Sequence, residues 1–502
     1  MAVDIISAAT LAIIASLLAV VFRGIYLAYI HPLAKIPGPK LYAITDIPYL
    51  VYILRGKWPH RLKELHDQYG PVVRFSPEDV SFMTADAWKD IYGHKNNGAE
   101  NFEKDPQMYV DSRSGHPNII NANEADHKRN VVVRRLLSHA FSEKALRNQE
   151  DIMKNYVDIL ITKLTDLATS GEIIDMVKWY NFTTFDLVGD LAFGEPFGCL
   201  ENSDYHPWVS MIFGTVRYGV YDQVFMRHPV IKFLASLIIP SKLVHNLHEH
   251  DKLSNATAMR RLDTGNTERE DFMSYILRHN DEKGMSVGEI SENANLLIVA
   301  GSETTATQLS GTTFQLLKNR EKYDNLVREI RASFASEDEI TLTSVNELKY
   351  LPAVIDEGFR MYPPVPIGLS RVTPKGGASI AGSWIPENTC VSVPQWSAYQ
   401  SEANWVEPGR FLPERWLGDP RFAGDNREIL NPFSRGPRNC IGRNLAYAEM
   451  RLILTRVLWN FDLELMSESD SWNQQNIFIL WDKGPLRVKL TPLRQVHTDS
   501  SF

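Results

Sequence analysis

The feature that most restricts this chain lies at its start. From Ile5 to Phe22, "IISAATLAIIASLLAVVF" carries no charged residue, and after Arg23 a second apolar stretch, "GIYLAYI", runs to Ile30. A helix needs about 20 residues to cross a hydrocarbon core about 30 Å thick. A signal peptide would show a basic start and a small-residue cleavage site, whereas the only early charge here is Asp4. A buried core helix would keep an amphipathic stripe, and this segment is apolar all round. Residues 1–30 are therefore expected to form one membrane-spanning anchor. Arg23, Lys35 and Lys40 follow the span and no basic residue precedes it, which puts the bulk of the chain in the cytosol. "HPLAKIPGPK", residues 31–40, holds Pro32, Pro37 and Pro39; it is expected to be a stiff, proline-rich hinge.

Residues 41–502 then have to make the working body. A hydrophobic share of 44% with 23% charged residues suits a globular core, and a net charge of -8 argues against a general affinity for nucleic acid. Three cysteines give no disulfide framework and fit a reducing compartment, where the sequons at Asn181 and Asn255 stay silent. No internal repeat, Walker loop or dinucleotide fingerprint is present. The pattern is mostly helical. "HRLKELHDQYG" reads as a short helix closed by Gly70, and "PVVRFSPEDVSFMT" as a strand pair turning at Ser76-Pro77. Gly98 to Ile120 reads as a long functional loop, and helical periodicity runs from Ala125 to Met211. "FMRHPVIKFLASLIIPSKL", Phe225 to Leu243, is either buried core or a second membrane-touching surface.

Three stretches of the second half carry chemistry. In "NLLIVAGSETTATQLSG", Asn295 to Gly311, Leu296 to Ala300 are apolar on every face, so the helix should run through the interior. There Glu303, Thr304 and Thr305 need a use or a partner. A Thr304 hydroxyl can bond back to the carbonyl of Ala300, and Gly301 would leave the space for a small polar notch. "EGFR" sets Glu357 and Arg360 at i, i+3, with Arg415 of "PERW" as a third member of a buried ionic cluster. The same spacing occurs at Glu407 and Arg410, where Pro408 and Gly409 exclude a helix. In "FSRGPRNCIGRNLA", Cys440 sits just ahead of a helical pattern whose first N–H groups favour a thiolate. No second cysteine or histidine lies at zinc spacing. A nucleophile, an inert thiol, or the one thiolate ligand of something large remain.

Together these stretches resemble the cytochrome P-450 family of haem-thiolate monooxygenases. "AGSETT" is similar to the family's oxygen-activating helix, "EGFR" and "FLPERW" to its buried pair and the segment completing it, and "FSRGPRNCIG" to its haem loop, in the family's order. The resemblance implies a mainly α fold: one large helical unit with a small β-sheet region behind the anchor. It implies haem, iron protoporphyrin IX, with Cys440 as axial thiolate and metal ligand. Phe433 would shield the sulfur, Gly436 and Gly442 would let the backbone pass close to the ring, and Arg438 and Arg371 would hold the propionates. His127 and Arg134 would also face a propionate. Here "HKRNVVVRRLLSHAFS" puts them seven residues apart where the family has four, so a bulge or shifted register is expected. Cys199 and Cys390 have no such frame and read as structural.

On the distal side the resemblance makes Thr304 the residue that holds dioxygen and relays protons, with Glu303 as its acidic neighbour. That acid–alcohol pair favours O2 activation over peroxide rearrangement. No flavin or nicotinamide motif is present, so electrons would come from a membrane-bound NADPH-cytochrome reductase. Lys128, Arg129, Arg134, Arg135 and Arg443 are candidates for its docking face. The anchor and hinge resemble microsomal enzymes of the endoplasmic reticulum, and the wording of the haem loop resembles fungal hydroxylases of trichothecene or polyketide skeletons. The expected reaction is hydroxylation or epoxidation of a lipophilic secondary-metabolite intermediate. Desaturation, phenol coupling, ring rearrangement and a non-catalytic haem sensor are the alternatives. Ala300, Val365, Ile367, Leu369, Phe478 and Ile479, with part of the Gly98–Ile120 loop, are the candidate substrate pocket.

Overall fold

The uncharged start forms helix Ala2–Ile25, which ends in a π turn, Tyr26–Ile30. Its apolar part, Ile5–Ile30, is 26 residues long with a mean hydropathy of 2.6, enough to span a bilayer. Two of its hydroxyls are answered inside the helix: Thr10 and Ser16 donate to Ile6 O and Ala12 O at 2.8 Å each. The body takes hold where the helix ends. Leu27 and Ala28 are buried, Arg74 donates to Leu27 O at 2.8 Å, and the Lys40 ammonium donates to Ala28 O at 2.9 Å. These two cations sit on the C-terminal carbonyls of the helix, where its dipole is negative. The proline segment continues as a short 3₁₀ turn, Pro32–Lys35.

The computed structural model describes residues 2–95, 100–109, 115–121, 127–228, 230–231, 233, 241–265 and 268–493. The body is mainly helical with small sheets, as the resemblance implied. Its centre is helix Val287–Lys318, started by a capping box of Ser286 and Glu289. Helices Met176–Phe193, Tyr350–Met361 and Arg443–Asn460 pack around it. Nearly every residue of Met176–Phe193 is buried, so this helix is interior on all faces. Gly301 packs here: a Cβ on it would lie 3.2 Å from Val188. The glycine that was expected to open a notch instead lets two helices close.

The expected strand pair forms as Val72–Arg74 and Asp79–Phe82, and the expected helix Trp58–Tyr69 stops at Gly70. That hairpin is one end of a five-stranded sheet completed by Cys390–Ser392, Arg371–Val372 and Glu103–Lys104. The sheet therefore brings the 98–120 loop beside the segment after "EGFR". In the stretch from Phe225, Phe225 itself is buried, while Met226, Val230, Ile231 and Phe233 are exposed. They lie near Ile47–Leu54, which exposes Ile47, Val51 and Leu54, and His228 meets Asp46 at 2.9 Å. Of the two readings of this stretch, core holds at Phe225 and an apolar surface from Met226 to Phe233 among the described residues; the remainder to Leu243 lies outside the described side chains.

Candidate active site

The cysteine loop is held by its own backbone. Cys440 N–H donates to Phe433 O at 2.8 Å, Gly436–Arg438 makes a 3₁₀ turn, and Gly442 leads into helix Arg443–Asn460. Gly436 has φ +74° and a Cβ there would lie 2.0 Å from Tyr92 O, so this glycine seats the loop on its neighbour. At Gly442 a Cβ would meet only Phe141 at 3.9 Å and Cys440 Sγ at 4.0 Å, which leaves room beside the sulfur. Phe433 packs edge-on against Phe359 at 5.1 Å and tilted against Tyr447 at 5.2 Å.

Cys440 is exposed by surface area yet surrounded by protein at longer range. Its sulfur therefore opens on an interior hollow. Burial pushes the thiol up, against the pull of Gly442 N–H, Arg134 and Arg443. The bond from Gly442 N–H favours the thiolate, as the reading of the helix start expected, and burial opposes it; a coordinated cation would tip the balance to the thiolate. Cys199 is fully buried, its thiol pushed up to about 12 by burial. Burial drives Cys390 still higher. Both are inert packing residues, as expected.

Cations from separate stretches gather beside Cys440. Arg134 donates to Asn439 Oδ1, one residue from the cysteine. Arg438 donates to Phe102 O at 2.7 Å, and buried Arg371 donates to Tyr109 Oη at 3.0 Å and Ser370 O at 3.1 Å. Burial pushes Arg134 and Arg438 below the usual guanidinium range. Helix His127–Ala140 is unbroken α, so the described residues hold no bulge there. The side chains of His127, Lys128 and Arg129 lie outside the described residues. Arg135 and Arg443 are exposed.

On the central helix, Leu296, Val299, Ala300 and Thr304 are only half-buried while Leu297, Ile298, Glu303 and Thr305 are buried, so this stripe lines an interior hollow. Thr304 Oγ1 donates to Ala300 O at 2.6 Å, as expected. Glu303 and Thr307 form the adjacent stripe. The Glu303 carboxylate pairs with the ammonium of Lys483, which also donates to Thr307 Oγ1 at 2.5 Å. Lys483, alone between Trp481-Asp482 and Gly484-Pro485, gave no signal in the sequence.

The ionic cluster is complete. Arg360 donates to both Glu357 oxygens at 2.9 and 2.8 Å, Arg415 Nε donates to Glu357 at 3.1 Å, and Trp416 Nε1 and Leu412 N–H add bonds at 3.0 and 2.8 Å. The other face of Arg415 meets Asp425, which sequence reasoning missed. Glu407 and Arg410 also pair, but on the surface.

Of the candidate pocket residues, Ile367 and Phe478 line a cleft of about 580 Å³, part of it open to solvent, together with Gln107 and Met108 of the 98–120 loop. Val365 and Leu369 are half-buried on the same alternation as Ile367. Ile479 packs at Gly219, where a Cβ would lie 2.8 Å from its Cδ1. The cleft also holds Asp79, paired with Arg227 at 2.8 Å, and Asp105.

A cytochrome P450 family model matches residues 39–490. The chain belongs to the cytochrome P450 family. It is 47% identical over 477 residues to cytochrome P450 monooxygenase aclL of Aspergillus oryzae, covering 95% of this chain and 96% of that one. It is 45% identical over 475 residues to cytochrome P450 monooxygenase astJ of the same organism, covering 94% of each. Trichothecene C-4 hydroxylase of Trichoderma arundinaceum is 44% identical over 478 residues, covering 93% and 94%. The family is one of haem-thiolate oxidoreductases, using iron protoporphyrin IX, O2 and a redox partner. An interior sulfur, a neighbouring set of cations and a half-buried helical stripe are what a porphyrin with two carboxylates needs, so the residues present fit the group.

Proposed function

We propose that this chain is a membrane-anchored monooxygenase that inserts one oxygen atom from O2 into a lipophilic secondary-metabolite intermediate, by hydroxylation or epoxidation. The observation that carries the reading is the gathering of cations beside a deep but accessible Cys440 sulfur. The relatives named above support the substrate class, one of them being called a trichothecene hydroxylase.

Cys440 would hold haem through its sulfur, with Arg134, Arg371 and Arg438 on its carboxylates, and the haem supplies dioxygen activation and oxygen insertion. The protein's own part is positional. Thr304 Oγ1 already donates to Ala300 O, which aims its lone pairs into the hollow and lets it accept and pass on a proton. Glu303 is held by Lys483 and Thr307; it joins the relay when that pair opens. Ile367, Phe478 and Met108 supply apolar contact that orients a lipophilic skeleton, and Gln107 supplies a polar one. Residues 1–30 would anchor the enzyme in the endoplasmic reticulum with residues 41–502 in the cytosol, and the exposed apolar patch around Ile47 and Phe233 would rest on the same membrane. Arg135 and Arg443 would meet the reductase.

Product analysis with isotopically labelled O2 tests the reading. One labelled atom in the product is expected. A converted product without label would replace oxygen insertion with desaturation, coupling or rearrangement. Thr304→Ala is expected to lower product formation by roughly 10²-fold and divert electrons to peroxide. Unchanged coupling would remove Thr304 from the relay.

A further inference from the structure

The cleft that Ile367 and Phe478 line is not apolar throughout. Tyr49, Trp58 and Phe75 bring packed rings to it, the Trp58 and Phe75 centroids lying 5.0 Å apart. Two polar side chains line it as well: Gln223 from helix Pro207–Arg227 and Ser392 from strand Cys390–Ser392. Each is only 8% exposed, so the cleft is the space left to them. Among the described residues neither the Gln223 amide nor the Ser392 hydroxyl has a hydrogen-bond partner. Water can serve both while the cleft is open, but a bound skeleton displaces it. An amide or hydroxyl buried without a partner is costly, so the ligand has to answer them.

The charges of the cleft decide what can answer. Arg227 gives both terminal nitrogens to Asp79, at 2.9 and 2.8 Å, and stands 4.9 Å over the Tyr49 ring. Asp79 also accepts from Ser76. Asp105 accepts from Gln107 N–H at 2.9 Å, and burial holds its carboxyl above the usual range. Protonated or not, Asp105 adds no positive charge. Among the described lining residues Arg227 is the sole cation, and it is already paired. An anionic ligand would find no free cation there, and a pure hydrocarbon would strand Gln223 and Ser392. A neutral hydroxyl or carbonyl suits both, because each of these side chains offers a donor and an acceptor.

We infer that the substrate arrives already oxygenated, with neutral hydroxyl or carbonyl oxygen that Gln223 and Ser392 bind in the cleft. This rests on the proposed oxygen insertion and names its substrate class: a lipophilic skeleton that carries oxygen and no charge. The reaction that supplies it is one that installs or uncovers a neutral oxygen, and this enzyme adds the next. Gln223 and Ser392 set specificity and take no part in the chemistry.

The test is equilibrium dialysis of the haem-loaded, full-length protein against three bicyclic probes of one shape: decalin, 2-decalol and decahydro-2-naphthoic acid, at about pH 8, where the acid is ionised. The same probes are offered to a Gln223→Leu, Ser392→Ala double variant. Each ratio compares one probe on two proteins, so the probe's own solubility cancels. The double variant is expected to bind 2-decalol about tenfold more weakly than the native chain, and decalin as tightly or more tightly. Its melting should stay the same or rise, because two unpaired polar groups have gone. Equal loss for decalin and 2-decalol, or no loss for either, overturns the inference, and so does tighter native binding of the acid than of the alcohol. Labelled-O2 product analysis separates the two failures. Labelled product from a chain with no alcohol preference overturns only the roles of Gln223 and Ser392. A preference without label in any product keeps those roles and overturns oxygen insertion.

Discussion

Two buried clusters of charge in this molecule follow opposite rules. In the knot of Glu357, Arg360, Arg415 and Asp425 every side chain is fully buried and each charge faces its opposite, with carbonyls of Tyr399, Pro408 and Arg410 taking the remaining Arg360 protons. Near the cysteine loop Lys104 faces Arg371 across two paired strands and Arg134 acts on the same amine, so there cations face cations. A balanced cluster is finished when the chain has folded and can only hold shape. An unbalanced one is finished by something that binds. The difference tells a structural network from a site without reference to any ligand.

Substitutions can break that contrast, and the largest effect belongs to the knot. Glu357→Gln strips the shared partner from two buried guanidiniums and is expected to cost about 3–5 kcal/mol, a large part of a domain's usual roughly 5–15 kcal/mol. Soluble yield and thermal melting check it; a stable, well-expressed variant would show that the knot is dispensable. Next, Arg371→Leu should lower haem per folded chain several-fold while the melting of the haem-free chain stays the same or rises, because a repulsive cation has gone. Parallel loss of haem and of haem-free stability would erase the contrast. Glu303 and Lys483 stand between the two, as a single buried pair. Either Glu303→Gln or Lys483→Met should destabilise by about 1–3 kcal/mol, and the double variant by less than the sum. Strict additivity would show that the pair is not coupled. The smallest effect on stability belongs to the surface: Arg443→Glu should leave melting unchanged and slow reduction by the electron donor, most at low salt. A reduction rate independent of this charge and of salt would put the donor elsewhere.

The haem loop, the "EGFR" cluster and the central helix were legible because their chemistry is local. Cys440 with its flanking glycines and arginine, or Thr304 four residues after Ala300, are relations a linear sequence displays. Lys104 and Lys483 were not legible, since each is a lone lysine whose meaning arises from distant partners. Only the register of two short strands sets Lys104 opposite Arg371, and only the return of the chain near its end sets Lys483 on Glu303. Glycine contacts were hidden in a related way. Gly301 and Gly436 were visible as positions without side chains, but the protein atoms that a Cβ there would meet, Val188 or Tyr92 O, belong to another element. The fold class and the first hairpin needed only pattern and turn chemistry, so they were readable.

The central claim is that the sulfur of Cys440 ligates haem iron. Its most direct test is the reduced carbon-monoxide spectrum of the folded, full-length protein beside Cys440→Ser. The native chain is predicted to show the red-shifted band of thiolate ligation and the variant to lose it. A folded, haem-loaded native protein without that band, or a variant that keeps it, would contradict the account.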